Sequence, residues 1–278
     1  MTHQFTAHFR IRQYELDAHS NLPNSTLARL FQESATRASA DAGFGVDWYS
    51  THTSAWLVHE LTLVRSQPIR YGDELAVTTW VSDFQRVRSH REYLARNAKT
   101  DVIVARGRAY WVHINPASMT PARVPPEIVT RFDPNGISAL VHSKPRAYPP
   151  PRFVIDKFRA TRRVQRYEAD GMQHVNNAMY IDWLEEALAD ALSMHPEQSA
   201  AGAESKDEQQ LCVYRHDIEY ARAAVPGDEV TISAHLAGVG QSASLWHLEI
   251  RRGAELLIRD CITALWMGAS GKAMRWNK

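Results

Sequence analysis

Only two cysteines, Cys212 and Cys261, occur in 278 residues, and they form no C-x-x-C pair. Two thiols at that separation exclude a disulfide framework and give no metal-ligand spacing, so no metal is expected and a reducing cytoplasm is the default setting. No stretch approaches the roughly eighteen apolar residues of a membrane span. The opening Met1-Thr2-His3-Gln4-Phe5 lacks the apolar core of a signal peptide, which suits a soluble chain. Net charge is nearly absent too: the formal value of +1 exerts no general pull towards nucleic acid or membrane, so any basic site has to be local. Several catalytic signatures are missing, including G-x-S-x-G, H-E-x-x-H, a complete phosphate loop and a G-x-G-x-x-G after a strand. Gly268-Ala269-Ser270-Gly271-Lys272 holds half of a phosphate loop without the preceding glycine, and reads as a tail.

What the chain does have is an internal copy of itself. Tyr14-Glu15-Leu16-Asp17 through Asn24 repeats as Tyr167-Glu168-Ala169-Asp170 through Asn177, and Glu33 repeats as Glu186, all with an offset of 153. Further on, Tyr71-Gly72-Asp73-Glu74-Leu75 matches Pro226-Gly227-Asp228-Glu229-Val230, and Ala109-Tyr110-Trp111-Val112 matches Ala264-Leu265-Trp266-Met267, with an offset of 155. A difference of two over so long a span fits a duplicated domain better than a short solenoid period. The expected organisation is a first domain at 1–132, a linker at 133–152 carrying the proline run Pro149-Pro150-Pro151, and a second domain at 153–278. With 44% hydrophobic and 23% charged residues, each copy can bury an ordinary core.

Each copy reads as a short strand, a turn holding the aspartate, one long helix and then several strands. From Ile181 onward, Trp183, Leu184, Ala187, Leu188, Ala191 and Leu192 share one half of a helical wheel, while Asp182, Glu185 and Glu186 take the other. In the first copy Leu27, Leu30, Phe31, Ala35 and Ala38 form the apolar side, and Gly43 supplies a stop. The later segments, such as Glu74–Val81 and Glu229–Ala234, are rich in β-branched residues, with turns at Lys99-Thr100-Asp101 and Arg252-Gly253-Ala254. These are antiparallel meanders. The stretch after the second helix, Pro196 to Asp207, reads as irregular and mobile, whereas its counterpart Phe44-Gly45-Val46-Asp47-Trp48-Tyr49 is aromatic and suits a pocket wall.

Chemistry concentrates in the second copy. Asp170 and His174 flank a turn that leads into a helix beginning with Asn176 and Asn177. A carboxylate base, an imidazole and free N–H groups at a positive helix end are what hydrolysis of a carbonyl compound needs. A turn or capping role for Asp170 is the other reading. Asn177 falls on the apolar side, where an amide must find a partner. The first copy carries Asn21 for His174 and Pro23 for Asn176, so it keeps the scaffold and loses two polar groups. Specialisation of the second copy and drift in a structural turn both account for that. Glu186, like Glu33, lies off the apolar stripe and reads as a solvated charge more readily than a catalytic one. Two basic runs, Lys157 to Arg166 and Arg86, Arg88, His90 and Arg91, could dock an acidic carrier or a phosphorylated cofactor, or simply face solvent.

With Asp170-x-x-x-His174-Val175-Asn176-Asn177-x-x-Tyr180, together with Tyr71-Gly72-Asp73, Thr79-Trp80-Val81, Trp111-Val112 and Ile181-x-Trp183, the chain resembles the acyl-acyl-carrier-protein thioesterases, a family of hotdog-fold enzymes. The resemblance implies an α+β tandem hotdog: two long central helices, each wrapped by an antiparallel sheet, with the sheets joined into one. It also implies hydrolysis of an acyl thioester to fatty acid and carrier thiol without cofactor or metal. Carried over residue by residue, the family's aspartate falls on Asp170 and its histidine on His174. Its intervening asparagine falls on Met172, and its downstream Glu and Cys fall near Ala223 and Ala224. The expected set is therefore Asp170, His174 and Asn177, with the backbone N–H groups of Val175 and Asn176 polarising the carbonyl, Glu186 in reserve, and Phe44, Trp48 and Tyr49 lining an acyl pocket. Expected substrates are thioesters of acyl carrier protein or of coenzyme A. A non-catalytic acyl-thioester binder and a dehydratase on the same fold are the competing readings, and a homodimer stays open.

Overall fold

The computed structural model describes residues 2–151, 158–193 and 209–268. Lys157, the Pro196–Asp207 stretch and Ala269 to Lys272 lie outside the described residues. The chain divides into two compact units, Met1–Ser143 and Lys144–Lys278.

The first unit runs β1 (Gln4–Arg10), a 3₁₀ turn (Gln13–Glu15), α1 (Asn24–Asp41), α2 (Val46–Thr51), β2 (Ala55–Arg65), β3 (Glu74–Gln85), β4 (Arg88–Asn97), β5 (Ile103–Asn115), β6 (Thr120–Pro121) and α3 (Pro126–Phe132). Its strands pair antiparallel in the order β1-β3-β4-β5-β2, with β6 on β5. The second unit runs β7 (Phe158–Arg163), a 3₁₀ turn (Arg166–Glu168), α4 (Asn177–Ser193), β8 (Gln209–Tyr220), β9 (Glu229–Val239), β10 (Ala243–Arg252) and β11 (Glu255–Gly268). Its order, β7-β9-β10-β11-β8, repeats the first unit strand for strand. Each unit is thus a hotdog, one long helix wrapped by an antiparallel sheet, as the resemblance implies.

The helices sit where their apolar stripes dictate. Leu27, Leu30, Phe31, Ala35 and Ala38 are buried on α1, which packs on β1, β2 and β3. On α4 the buried set is Ala178, Tyr180, Ile181, Trp183, Leu184, Ala187, Leu188 and Ala191, packed on β7, β8 and β9. Gly43 follows α1 with φ of 94°, a left-handed conformation that glycine enters without steric cost. The same freedom appears at the β10–β11 turn, where Gly253 has φ of 57°.

One contact fixes the depth of α1. Phe31 stacks on Tyr93 of β4 with ring centroids 4.8 Å apart, and its ring also covers Gly107 of β5, where a Cβ would stand 2.5 Å from Cε2. By the repeat offsets, the second unit has Leu184 in place of Phe31 and Ile262 in place of Gly107, both fully buried. Bulk has moved from helix to strand.

Two short helices were not foreseen. The aromatic segment after Gly45 forms α2, and Pro125 and Pro126 start α3 by holding the φ that a first helical turn requires. Residues of the proposed linker lie against whichever unit they belong to: the Trp80 indole donates to Ile137 O at 2.9 Å, and Val239 N donates to Pro149 O at 2.9 Å.

Candidate active site

The two aspartate turns are built alike. Asp17 N donates to Asn21 O and Asp170 N to His174 O, each at 2.8 Å, while Ser20 N and Gln173 N return to the aspartate carbonyls at 3.0 Å. Ser20 and Gln173 accordingly hold φ of 58° and 62°. The carboxylates differ. Asp17 Oδ1 accepts both His19 N at 2.8 Å and Asn21 N at 2.9 Å, but Asp170 Oδ1 accepts Met172 N alone, at 2.9 Å. Among the described residues, Asp170 Oδ2, the His174 ring and the His174 N–H have no hydrogen-bond partner. Asp170 and His174 are both half-buried, so water can reach them.

The helix start assigns the nearby N–H groups. Val175 N donates to Ala224 O and Asn176 N to Glu168 O, both at 2.9 Å. This corrects the expectation that Val175 and Asn176 polarise a carbonyl, since a peptide donor already satisfied at normal length is not available to a ligand. Among the described residues, the N–H groups left open are those flanking them, on His174 and Asn177. Asn176 instead caps the helix, its Oδ1 accepting Ala178 N at 3.0 Å. Asn177 is half-buried, its carbonyl accepts the Tyr220 hydroxyl at 3.3 Å, and its side-chain amide has no partner among the described residues.

Two residues quoted in the sequence motifs but given no role there, Glu168 and Tyr180, hold this turn. Glu168, 2% exposed, accepts Gln165 N at 2.7 Å and the Trp183 indole N–H at 3.1 Å, and pairs with Arg162, whose guanidinium stacks 4.1 Å from the Trp183 ring. The Tyr180 hydroxyl accepts Ala224 N at 2.7 Å; burial raises its pKa to about 12, so it stays a neutral phenol. Ala224 therefore grips both the turn, through its carbonyl, and the helix, through its N–H. Ala223 is exposed and Met172 is 45% exposed, and neither side chain carries an amide, carboxylate or thiol.

Glu186 is exposed and enters no ion pair or hydrogen bond among the described residues. Its neighbour Glu185, placed on the polar side by the helical wheel, turns under the helix and accepts from His216 Nε2 at 3.0 Å. The other ring nitrogen of His216 meets Asp260 Oδ2 at 2.7 Å, with both side chains at 0% exposure. Burial alone would lower the His216 pKa, but Asp260 and Glu185 overcome it and hold the ring protonated to about 10. Nothing in the local sequence announces this trio, whose members are 31 and 44 positions apart. Cys261, half-buried beside it, has its thiol pushed up to about 12 by burial, which makes it inert as a nucleophile.

In the first unit, Phe44 is buried and meets Trp48 edge-on at 4.9 Å, and the Tyr49 hydroxyl bonds Ser39 Oγ at 2.9 Å and the Trp56 indole N–H at 3.2 Å. These belong to one apolar cluster with Ala42, Val81, Val124, Ile128 and Phe132. The basic run of β4 is not a single surface, because Arg91 is buried while Arg86 and Arg88 are exposed. Arg162 is likewise committed to Glu168 and Trp183.

The fold has counterparts among known proteins. Residues 2–132 match the acyl-ACP thioesterase N-terminal domain and residues 172–258 the thioesterase superfamily. A tandem hotdog is the class that the two units define. Through its first unit the chain is similar to the acyl-ACP thioesterase family, and through its second to the wider thioesterase superfamily. It is 24% identical over 262 residues to a chloroplastic palmitoyl-acyl carrier protein thioesterase of Arabidopsis thaliana, covering 91% of this chain and 62% of the relative. It is 28% identical over 201 residues to the corresponding protein of Gossypium hirsutum, covering 69% and 49%. The chain thus spans about half to three-fifths of the length of these curated relatives. Among solved structures, the 12:0-ACP thioesterase of Umbellularia californica superposes with a TM-score of 0.74 at 17% identity, over 95% of this chain and 94% of that one. An acyl-ACP thioesterase of Bacteroides thetaiotaomicron gives 0.72 at 17%, over 94% and 97%. These two likenesses establish the fold.

Proposed function

We propose that the chain hydrolyses acyl thioesters of acyl carrier protein, with Asp170 as general base. The observation that carries this reading is the difference between the two turns: Asp17 Oδ1 accepts two backbone N–H groups, whereas Asp170 Oδ1 accepts one and stands beside an imidazole that has no partner among the described residues and that the first copy lacks. The N–H that the second carboxylate lacks is that of His174, whose counterpart Asn21 N is spent on Asp17.

In this mechanism Asp170 takes a proton from water as the oxygen adds to the thioester carbonyl. His174 orients that water, and Asn177 positions the acyl group. The open N–H groups of His174 and Asn177 stabilise the oxyanion that forms. The C–S bond then breaks, and the leaving thiolate takes the proton held by Asp170, giving a fatty acid and a free thiol. Acyl carrier protein is preferred to coenzyme A because the named relatives act on carrier-protein esters. Arg86 and Arg88 are exposed on the first unit and Arg159, Arg163 and Arg166 on the second, and either group supplies positive charge that an acidic carrier can use. A cytoplasmic setting belongs to the same reading, supported by a count of only two cysteines without C-x-x-C spacing.

Thiol release from acyl carrier protein and from coenzyme A esters of matched chain length tests the proposal. Turnover on the carrier protein, lost in Asp170→Asn and kept in Asp17→Asn, is the expected result. Full activity in Asp170→Asn removes that residue from the mechanism, faster turnover of coenzyme A esters reassigns the carrier, and thermal stabilisation by acyl thioester without turnover makes the chain a binding protein.

A further inference from the structure

Helix α4 is tied to β8 at two separated points. At its first residue, Asn177 O accepts the Tyr220 hydroxyl at 3.3 Å. Two turns on, Glu185 Oε1 accepts from His216 Nε2 at 3.0 Å. The spacing suits both elements. The eight steps from Asn177 to Glu185 rise about 12 Å along a helix, and the four steps from Tyr220 back to His216 span about 13 Å of a strand and end on the same face. Helix and strand therefore run antiparallel here, with their polar contacts at matching intervals.

Both contacts are made by groups whose state is fixed. Burial, with Asp260 and Tyr180 nearby, pushes the Tyr220 pKa well above the usual tyrosine range, so the hydroxyl keeps the proton it donates. His216 is held on its other nitrogen by Asp260, so the ring cannot turn away from Glu185 without breaking a buried ion pair. Ile181 and Leu184, buried between the two points, are apolar. Apolar burial is non-directional, and it holds a helix down on a sheet more firmly than it fixes the helix along its own axis. Tyr180 and Trp183 bind α4 to the Ala224 loop and to Glu168 of the turn, whereas Tyr220 and His216 bind it to the sheet.

Among the described residues the first unit lacks both contacts. At the offset of 153, Gln32 stands in place of Glu185, Leu63 of His216 and Gln67 of Tyr220. Leu63 is buried and its side chain offers no polar atom, and Gln67 is exposed just past the end of β2. The ties thus accompany the turn that carries an imidazole. Asn177 makes their place consequential, because its N–H and amide are groups that the proposed hydrolysis uses, and a displacement of about 1 Å at such groups costs about a hundredfold in rate.

We propose that Tyr220 and His216 are positioning residues that together fix where α4 lies along β8, and with it where Asn177 presents its N–H and its amide to the substrate. The catalytic part of this role rests on the hydrolase reading of the aspartate turn; the tie between helix and strand does not.

Tyr220→Phe removes one tie, and His216→Leu with Asp260→Ala removes the other without leaving a buried carboxylate uncompensated. Each variant and their combination are compared with the wild-type full chain by thiol release from an acyl-carrier-protein thioester that the wild type turns over, and by the proton–nitrogen NMR signals of Asn177. Each tie lost should lower kcat about tenfold with KM within about twofold. The combination should lose little more than either variant, because one missing tie already frees the helix, whereas sites this far apart that act independently would multiply to about a hundredfold. His216→Leu with Asp260→Ala should also shift the Asn177 backbone signal, although Glu185 contacts the helix two turns away. Should that variant fail to fold, Tyr220→Phe, which deletes one hydroxyl, still decides through the split between kcat and KM. Multiplied losses, an unchanged kcat in folded variants, or an Asn177 signal that stays in place overturns the proposal. A wild type that releases no thiol overturns the catalytic role together with the hydrolase reading, and the Asn177 signal then decides the tie by itself. Wild-type turnover with unmoved Asn177 signals overturns the tie and leaves the hydrolase reading intact.

Discussion

His216 Nδ1 lies 2.7 Å from Asp260 Oδ2 in the core of the second unit, where the first unit has Leu63 and Ala105 at the equivalent positions. Leu63 faces Gly107 in the β2–β5 ladder as His216 faces Ile262 in the β8–β11 ladder, so the correspondence holds by register as well as by offset. An apolar pair in one copy has become an ionised pair in the other. Removing one member of a buried ion pair leaves an uncompensated charge. Asp260→Ala should therefore cost about 3–5 kcal/mol in denaturant unfolding. The double variant His216→Leu with Asp260→Ala, which restores the first unit's residues, should recover most of that loss, because Glu185 is partly exposed and can be hydrated. A double variant as unstable as the single one would show that the trio is needed for more than charge balance.

The same pair sets a pH dependence. The folded state raises the pKa of His216 from 6.5 to about 10, so it binds a proton that the unfolded chain releases earlier. The contribution is complete below about pH 6.5, declines as pH rises above that value, and is lost beyond about pH 10. Thermal melting of the wild type should fall across this window. His216→Leu with Asp260→Ala should melt with a flatter profile between pH 7 and 10, and parallel profiles would count against a protonated His216.

Tyr180 ties the helix to the loop that holds the aspartate turn. Tyr180→Phe keeps the ring and leaves Ala224 N without its acceptor at a position of 0% exposure, which should cost about 1–3 kcal/mol. Because Ala224 O also receives Val175 N, turnover should fall as well, through kcat more than KM. A stable variant with lowered kcat would separate positioning from folding, and unchanged values of both would remove Tyr180 from either role.

Gly107 is required by Phe31. Gly107→Val should lower unfolding free energy by about 1–3 kcal/mol, since the ring at 2.5 Å from an added Cβ must leave its stack on Tyr93. Gly107→Val combined with Phe31→Leu should be milder than either change predicts alone, as a double-mutant cycle would reveal.

The duplication, both long helices with their buried faces, and the hairpin turns at Asp101 and Gly253 were legible because periodicity and turn chemistry are local. The aspartate turn was legible for the same reason. The state of its N–H groups was not. Val175 is silenced by Ala224, 49 positions later, and that pairing exists only after β8 has folded back. Glu185 looked solvated by wheel position, yet its length lets the carboxylate reach a buried imidazole from the flank of the stripe. Arg91 looked like part of a basic surface because its neighbours Arg86 and Arg88 are one. Alternation along β4 sends Arg91 to the inner face and Arg88 to the outer.

The exchange of Phe31 and Gly107 for Leu184 and Ile262 also governs what evolution can still do with this gene. Two copies in one reading frame are open to gene conversion, which overwrites one with the other. Transferring the first helix alone would press a phenyl ring against Ile262, and transferring the second alone would leave a void above Gly107. A conversion tract survives only if it carries helix and strand together, and such a tract spans most of a unit. The paired sizes therefore act as a lock on sequence homogenisation, allowing the aspartate turns to keep diverging while the scaffold that presents them stays the same.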